Sequence, residues 1–328
     1  NDTLSGLARL YDGGADDDAI TVTDAVFSST ESTPVVGGGG SDTLTLVLGG
    51  ASDALTITNP STGVLNHTLG GVTRSSSGIE HLVINTGGGS DQVTLDDITS
   101  AGANGVETVE IAVGPGSVDI VRILGSNSAG DSFAISTDGS RTKVVRSTTT
   151  GYTVWIGGTV RTDGDALVID GRGGADTISA TGLTVDRLAL TLIGGTENDT
   201  LVGSPFADVL DSGLGDDTVT GGLGRDTFVD AGGTADTLVE SFTSGDFGLY
   251  DTLFVVGLAV GTDFGVGSVA EDLNRIFEFA RLTGGAGATT ILVGDADGTL
   301  NVAGSSRTVS SWTGTATLDP GAGNDLVR

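Results

Sequence analysis

Cysteine is absent from this 328-residue chain, so disulfide staples and thiolate metal sites are excluded. Methionine is absent too, and histidine is confined to His67 and His81, which leaves zinc or haem almost no ligands. Basic residues number 14 against 43 acidic ones, Lys143 is the only lysine, and the formal net charge is −29. A surface of that sign repels phosphate backbones and anionic lipid. Nucleic acid is therefore excluded as a partner, and a divalent cation is favoured. No apolar run approaches the roughly 18 residues of a membrane-spanning helix, so no membrane insertion is expected. Aromatic residues, at 5%, are too few and scattered to mark a sugar-stacking platform.

What the chain does have is glycine, 56 residues of it, and a hydrophobic fraction of 37%, enough to bury a core despite the acidity. The glycines come in clusters, each followed by an aspartate and then a short alternation of Thr, Val, Leu, Ile or Ser. Gly13-Gly14-Ala15-Asp16-Asp17-Asp18-Ala19-Ile20, Gly37 to Leu44, Gly87 to Val93 and Gly171 to Ile178 all follow this form. Glycine supplies the positive φ of a tight turn, and the alternation at period two suits a strand with one buried face. Many clusters are preceded by a second alternation, as in Ile79 to Ile84, Val106 to Ile111, Ala166 to Ile169 and Ile276 to Ala280. Strand, glycine turn, strand is thus the repeating unit. Its spacing is irregular through residue 181, with Ser28 to Ser32 and Arg146 to Thr150 expected as side loops. Ser268 to Arg275 competes as a short helix, since Ser268 and Glu271 can form a capping box.

From Gly194 the period becomes strictly nine. Asp199, Asp208, Asp217 and Asp226 hold position six of four consecutive copies, and Leu201, Leu210, Val219 and Phe228 hold position eight. One large apolar side chain per copy is expected to point inward, with neighbours such as Thr218 and Thr220 facing solvent. The copy beginning at Gly203 departs from the pattern, because Ser204 and Phe206 replace its second and fourth glycines, and Asp236 sits one residue out of register.

These nonapeptides resemble the G-G-x-G-x-D-x-U-x pattern of RTX (repeats-in-toxin) calcium-binding proteins, such as are found in giant secreted or surface proteins of bacteria. The resemblance implies calcium as cofactor. It also implies sites between turns two copies apart, pairing Asp199 with Asp217, Asp208 with Asp226 and Asp217 with Asp236. Calcium takes six to eight oxygens, which the position-six carboxylates and backbone carbonyls of the glycine turns can provide. The candidate ligands are therefore Asp199, Asp208, Asp217, Asp226 and Asp236, with turn residues Gly195, Gly213, Gly215, Gly222 and Gly224. Asp18, Asp42, Asp91 and Asp176, in isolated copies of the glycine-aspartate phrase, are further candidates.

The expected fold is all-β: a parallel β-solenoid (β-helix or β-roll) with irregular rungs over 1–181, a short nonapeptide β-roll over 182–240 and a β-rich segment over 241–328. Catalytic residues are not expected. The carboxylate clusters Asp16-Asp17-Asp18 and Asp96-Asp97 have no basic residue beside them in sequence and read as solvated turns, and both histidines read as surface residues. The function expected is that of an extracellular or cell-surface structural module, a spacer, adhesin shaft or filament subunit. A ligand-binding adhesin domain, or a polysaccharide lyase or epimerase with a calcium-binding tail, is the alternative. The phrases Asn1-Asp2-Thr3-Leu4 and Gly323-Asn324-Asp325-Leu326 sit inside repeats, so end-to-end contact with copies of itself or with neighbouring repeats is expected.

Overall fold

The computed structural model describes residues 3–5, 11–23, 34–98, 105–147, 151–224, 226–229, 231, 236–241, 246–250, 253–258, 279–283, 290–293, 299–302, 305–308, 315–319 and 326–327. The segment Ser268 to Arg275 lies outside them. The described residues are nearly all β, with a single 3-10 turn at Arg161–Asp163, and the strands gather into two large mixed sheets. No helix among them is long and apolar enough to cross a membrane. Two compact units divide the chain: residues 1–126, 131–170 and 182–190 form the first, and 127–130, 171–181 and 191–328 the second.

In the first unit the early strands are β1 (Thr3–Ser5), β2 (Tyr11–Gly14), β3 (Ala19–Thr23), β4 (Val35–Gly38) and β5 (Thr43–Val47). They alternate between the two sheets, and each pairs in parallel with the next strand of its own sheet, β1 with β3, β3 with β5 and β2 with β4. An antiparallel meander then interrupts: β6 (Ala54–Ser61), β7 (Val64–Leu69) and β8 (Val72–Ser77). The alternation resumes with β9 (His81–Asn85), β10 (Gln92–Asp96), β11 (Thr108–Ala112) and β12 (Ile120–Leu124). A second meander follows, made of β13 (Ser132–Asp138), β14 (Arg141–Arg146) and β15 (Thr153–Gly157). Strand β16 (Ala166–Gly173) then pairs with β12 through Ala166 to Asp170.

Period-two patterning builds the core directly. In one sheet Ile20, Leu44, Leu82, Val109 and Val154 stand in register across five strands, with Val22, Leu46, Ile84, Ile111 and Ile156 beside them. In the other, Leu55, Val93, Val121 and Leu167 form one row and Ile57, Leu95, Ile123 and Ile169 the next. All these side chains are buried. Stacking like on like gives each aliphatic group two apolar neighbours, and a one-residue slip would turn the whole row outward.

The second unit contains β17 (Thr177–Gly182), β18 (Ala189–Thr196), β19 (Thr200–Val202), β20 (Asp208–Leu214), β21 (Thr218–Thr220), β22 (Thr227–Val229) and β23 (Thr237–Ser241). Here too the pairing is parallel between alternate strands: β17 with β19, β19 with β21, β21 with β23 and β20 with β22. Farther along, 279–283 pairs in parallel with both β23 and 315–319.

The meanders correct two expectations. Irregular spacing comes from hairpins that join the sheets, and Arg146, expected in a side loop, ends β14 with its side chain buried. His67, expected at the surface, lies on β7 at 1% exposure, between Ile57 and Arg74 in register, with Nε2 2.8 Å from Ser76 Oγ. Leu65 and Leu69, two residues to either side, are buried, and His67 shares their phase.

Burial lowers the His67 pKa to about 4. In the unfolded chain it titrates near 6.5, so between about pH 6.5 and 4 only the unfolded chain takes up this proton, and stability is lost as pH falls through that window. The loss reaches about 3 kcal/mol at the acid end. Urea unfolding of wild type and His67→Gln across this range should show a smaller acid loss in the variant; parallel profiles would remove the assignment.

Candidate metal centre

The nonapeptide register is as expected. Leu201 pairs with Val219 and Leu210 with Phe228, and all four side chains point into the core with at most 8% exposure. Thr218 and Thr220 are half-buried on the opposite face.

What the turns do was not visible in the sequence. The backbone N–H of Asp199 donates to Oδ1 of Asp217 at 2.8 Å, that of Asp217 to Oδ1 of Asp236 at 2.7 Å, and that of Asp208 to Oδ1 of Asp226 at 3.0 Å. These are the three pairs that the RTX resemblance implies. Asp176 extends the column, donating its N–H to Asp199 Oδ1 at 2.7 Å. At the same corner the C=O of Asp199 accepts from Thr218 N and that of Asp217 from Thr237 N. Asp199 and Asp217 thus satisfy both of their own backbone groups and, through Oδ1, the amide of the preceding turn.

The turns that carry this ladder come close enough to demand glycine. Gly213 and Gly215, four and two residues before Asp217, have φ of 92° and 149°, and a Cβ on either would collide with the carbonyl oxygen of Gly195 or Glu197 in the turn beneath. Gly195, Gly222 and Gly224 share the positive φ. Glu197 stands where the repeat calls for glycine, adopts φ 72°, and accepts the Gly174 N–H at 2.7 Å. That bond, with one from Thr196, holds its carboxyl below the usual range.

Electrostatically the ladder is strained. Asp199, Asp208, Asp217 and Asp236 are at most 3% exposed. Burial, opposed by the Asp176 N–H and reinforced by the charges of Asp176, Asp217 and Glu197, pushes Asp199 up to about 7. Burial and Asp208 likewise raise Asp226 to about 7, and burial raises Asp217. Asp199 Oδ2 is buried with no hydrogen-bond partner. These properties favour positive charge: oxygen donors only, buried carboxylate oxygens left unpartnered at Asp199 and Asp217, and carboxylates whose ionisation is opposed. They fit a hard cation, which accepts carboxylate and carbonyl oxygens alike and would supply the missing counter-charge. Among the described residues no three Asp, Glu or His side chains converge on one point, so the turn carbonyls would have to complete the shell.

The copy that lacks its glycines differs. Ser204 donates to Asp208 through both its backbone N–H, at 2.5 Å to Oδ2, and its hydroxyl, at 3.0 Å to Oδ1. The protein itself thereby caps the Asp208 carboxylate, and the Ser204 hydroxyl oxygen also accepts the Phe206 N–H at 3.1 Å, two residues on.

In the first unit Asp18, Asp42 and Asp91 are buried in the same way, and two ladders form. Asp18 N–H donates to Asp42 and Asp42 N–H to Glu80. Asp53 donates to Asp91, Asp91 to Asp119 and Asp119 to Asp165. Sequence reasoning missed Asp53, Glu80, Asp119 and Asp165, although each stands one position before an alternating strand, β6, β9, β12 and β16, and was there to be read. Burial raises Asp42, Glu80 and Asp119.

Two further expectations change. Asp97, read as a solvated turn residue, bonds Arg146 Nη2 at 2.8 Å, and Arg146 also clasps Asp131 at 2.8 and 2.9 Å and the Ile98 carbonyl at 2.9 Å. That guanidinium is spent on Asp131, Asp97 and the Ile98 carbonyl, so the cluster clamps β14 in place. His81, half-buried, bridges Ser41 Oγ at 2.8 Å and Thr108 Oγ1 at 2.6 Å.

Residues 193–228 match the family model of the RTX calcium-binding nonapeptide repeat, in four copies. RTX nonapeptide repeats bind calcium, and calcium is the cofactor of this segment. No curated protein matches the chain.

At about 1 mM calcium each occupied site is expected to add on the order of 1 kcal/mol to the folded state. Chelation should therefore lower the unfolding temperature of the nonapeptide segment by several degrees. Asp217→Ala should cost most, because Asp217 bonds both Asp199 and Asp236. An unfolding curve identical in chelator and in calcium is the adverse result.

Proposed function

We propose that the chain is an extracellular, calcium-stabilised β-solenoid of a secreted bacterial protein that works as a structural module, a spacer, adhesin shaft or filament subunit, and performs no reaction. In this reading each pair of strands in alternate sheets is one rung, and the ladders hold rung upon rung. The observation that carries it is the continuity of the turns: aspartate bonds to aspartate from one turn to the next within each unit, over sequence separations from 18 to 46 residues. A repeated contact of this kind builds length rather than a cleft. RTX repeats are typical of secreted proteins, and calcium at extracellular levels suits sites of modest affinity.

Negative-stain imaging and small-angle scattering in about 1 mM calcium should reveal an elongated particle or end-to-end filaments. A compact, monodisperse globule would overturn the reading. Release of unsaturated products from uronate polymers would replace it with the lyase alternative.

One observation favours a ligand-binding adhesin as the second reading. Trp155 carries Arg141 at 5.3 Å and Lys143 at 5.6 Å from its ring centroid, so the only lysine of a chain with net charge −29 lies beside a half-exposed tryptophan. Arg141 is also paired with Glu110 at 3.3 Å and the indole N–H donates to Asp138 at 2.8 Å, so the ring with its mixed charges suits a sugar. Retention on a glycan array that is lost in Trp155→Ala would support this reading, and no retention would dismiss it.

A further inference from the structure

We propose two further calcium sites in the first unit, outside the nonapeptide segment: one between the stacked turns ending at Asp18 and Asp42, the other between those ending at Asp53 and Asp91. The inference rests on the calcium reading of the nonapeptide turns, because it is their geometry that recurs.

In the nonapeptide segment the stacked turns ending at Asp199 and Asp217 share three features. Positive-φ glycines stand four and two residues before the upper aspartate. Each of them lies against the carbonyl oxygen of the corresponding residue below. The lower aspartate donates its N–H to the upper carboxylate. The turn ending at Asp42 repeats all three. Gly38 and Gly40 have φ of 109° and 133° and lie against the carbonyls of Gly14 and Asp16, and Asp18 N–H reaches Asp42 Oδ1 at 2.9 Å. So does the turn ending at Asp91. Gly87 and Gly89, at 85° and 107°, lie against the carbonyls of Gly49 and Ala51, and Asp53 N–H reaches Asp91 Oδ1 at 2.8 Å.

Turn geometry alone would explain a well-packed loop. The independent observation is the second carboxylate oxygen. Asp42 and Asp91 are 0% and 3% exposed, and Oδ2 of each is buried with no hydrogen-bond partner. Asp42 Oδ2 points back into its own turn, against Gly37, where a Cβ would come within 2.6 Å of it. Two other aspartates of this unit, Asp165 and Asp131, show what a purely structural carboxylate looks like. Asp165 Oδ2 accepts Val160 N–H at 2.7 Å, and Asp131 Oδ2 accepts Ser126 N–H at 2.7 Å. Neither of those turns has positive-φ glycines four and two residues before its aspartate. At Asp42 and Asp91 no such N–H reaches Oδ2; Asp119 Oδ2 is likewise unpartnered but lacks the glycine pair, so the pair and the orphaned oxygen together mark the two sites. Buried carboxylate and carbonyl oxygens with no nitrogen or sulfur donor are the chemistry of a hard cation with flexible coordination, which favours calcium over transition metals and over magnesium, with its demand for a strict octahedron.

The test is equilibrium dialysis of the full chain against calcium alone, counting ions bound to wild type, Asp42→Asn, Asp91→Asn and Asp217→Asn. Asparagine keeps an oxygen for the ladder N–H while removing the charge. Asp42→Asn and Asp91→Asn should each lose one bound calcium, and the double variant two. A count that falls in Asp217→Asn but not in the other two overturns this inference and leaves the nonapeptide reading standing. A wild type that binds no calcium overturns both. If the variants do not fold, hydrogen exchange of the wild type decides: the amides of β5 and β10 should slow at least about tenfold on adding calcium, and unchanged rates there would overturn the proposal.

Discussion

The hydrogen bond from an aspartate amide to the carboxylate of the aspartate in the next turn is the contact on which the rest of this structure depends. A parallel strand that starts from a tight turn leaves, just before it, an amide that its neighbour's backbone does not reach. Here a carboxylate supplies the acceptor, as at Asp91, whose N–H meets Asp119 Oδ1 at 2.8 Å. The solution has an electrostatic consequence. Stacking turns at the strand spacing of about 4.8 Å lines up buried negative charges, and at an effective dielectric near 20 each adjacent pair repels by on the order of 3 kcal/mol. Against a typical net stability of about 5–15 kcal/mol that repulsion cannot be ignored. Cation binding, local protonation or an internal donor must relieve it, and the structure contains the last of these at Asp208, capped by Ser204. In the nonapeptide segment, whose repeats bind calcium, that cation is the expected counter-charge.

The parts of this arrangement that a sequence can display are those with a period. Alternation at two put Leu44, Leu82 and Val109 inward, and the nine-residue repeat put Leu201, Leu210, Val219 and Phe228 inward, because burial follows directly from strand pleat. The strict repeat also fixed which aspartates meet, since a constant separation of 18 residues leaves one way to stack the turns that end at Asp199 and Asp217.

Where separations vary, the partners could not be paired in advance. Nothing local says that Asp42 belongs with Glu80, 38 residues on, because an antiparallel meander of three strands intervenes. Such a meander has the same period-two pattern as the strands around it, so it reads as more of the same. Its polar inward groups were equally hidden. His67 pairs with Ser76 only once β7 and β8 are antiparallel, and Arg146 finds Asp97 from 49 residues away. Both are buried polar groups whose partners are made by topology rather than by neighbours in the chain.

The same bond explains why the chain tolerates so much irregularity. The ladder constrains only the corner of each turn, where an acidic residue must precede a strand whose alternate side chains are apolar. Nothing in that requirement limits what lies between corners, so separations of 28, 38 and 46 residues coexist in one ladder, while 18 occurs in each of the two nonapeptide columns. Loop length is thermodynamically cheap to change, since doubling it costs only about 0.6 kcal/mol in closure entropy. A chain under this constraint can therefore lose its nonapeptide period almost everywhere and keep its turns stacked. The match to the nonapeptide repeat is confined to residues 193–228 for this reason, while the bond that organises that segment begins as early as Asp18.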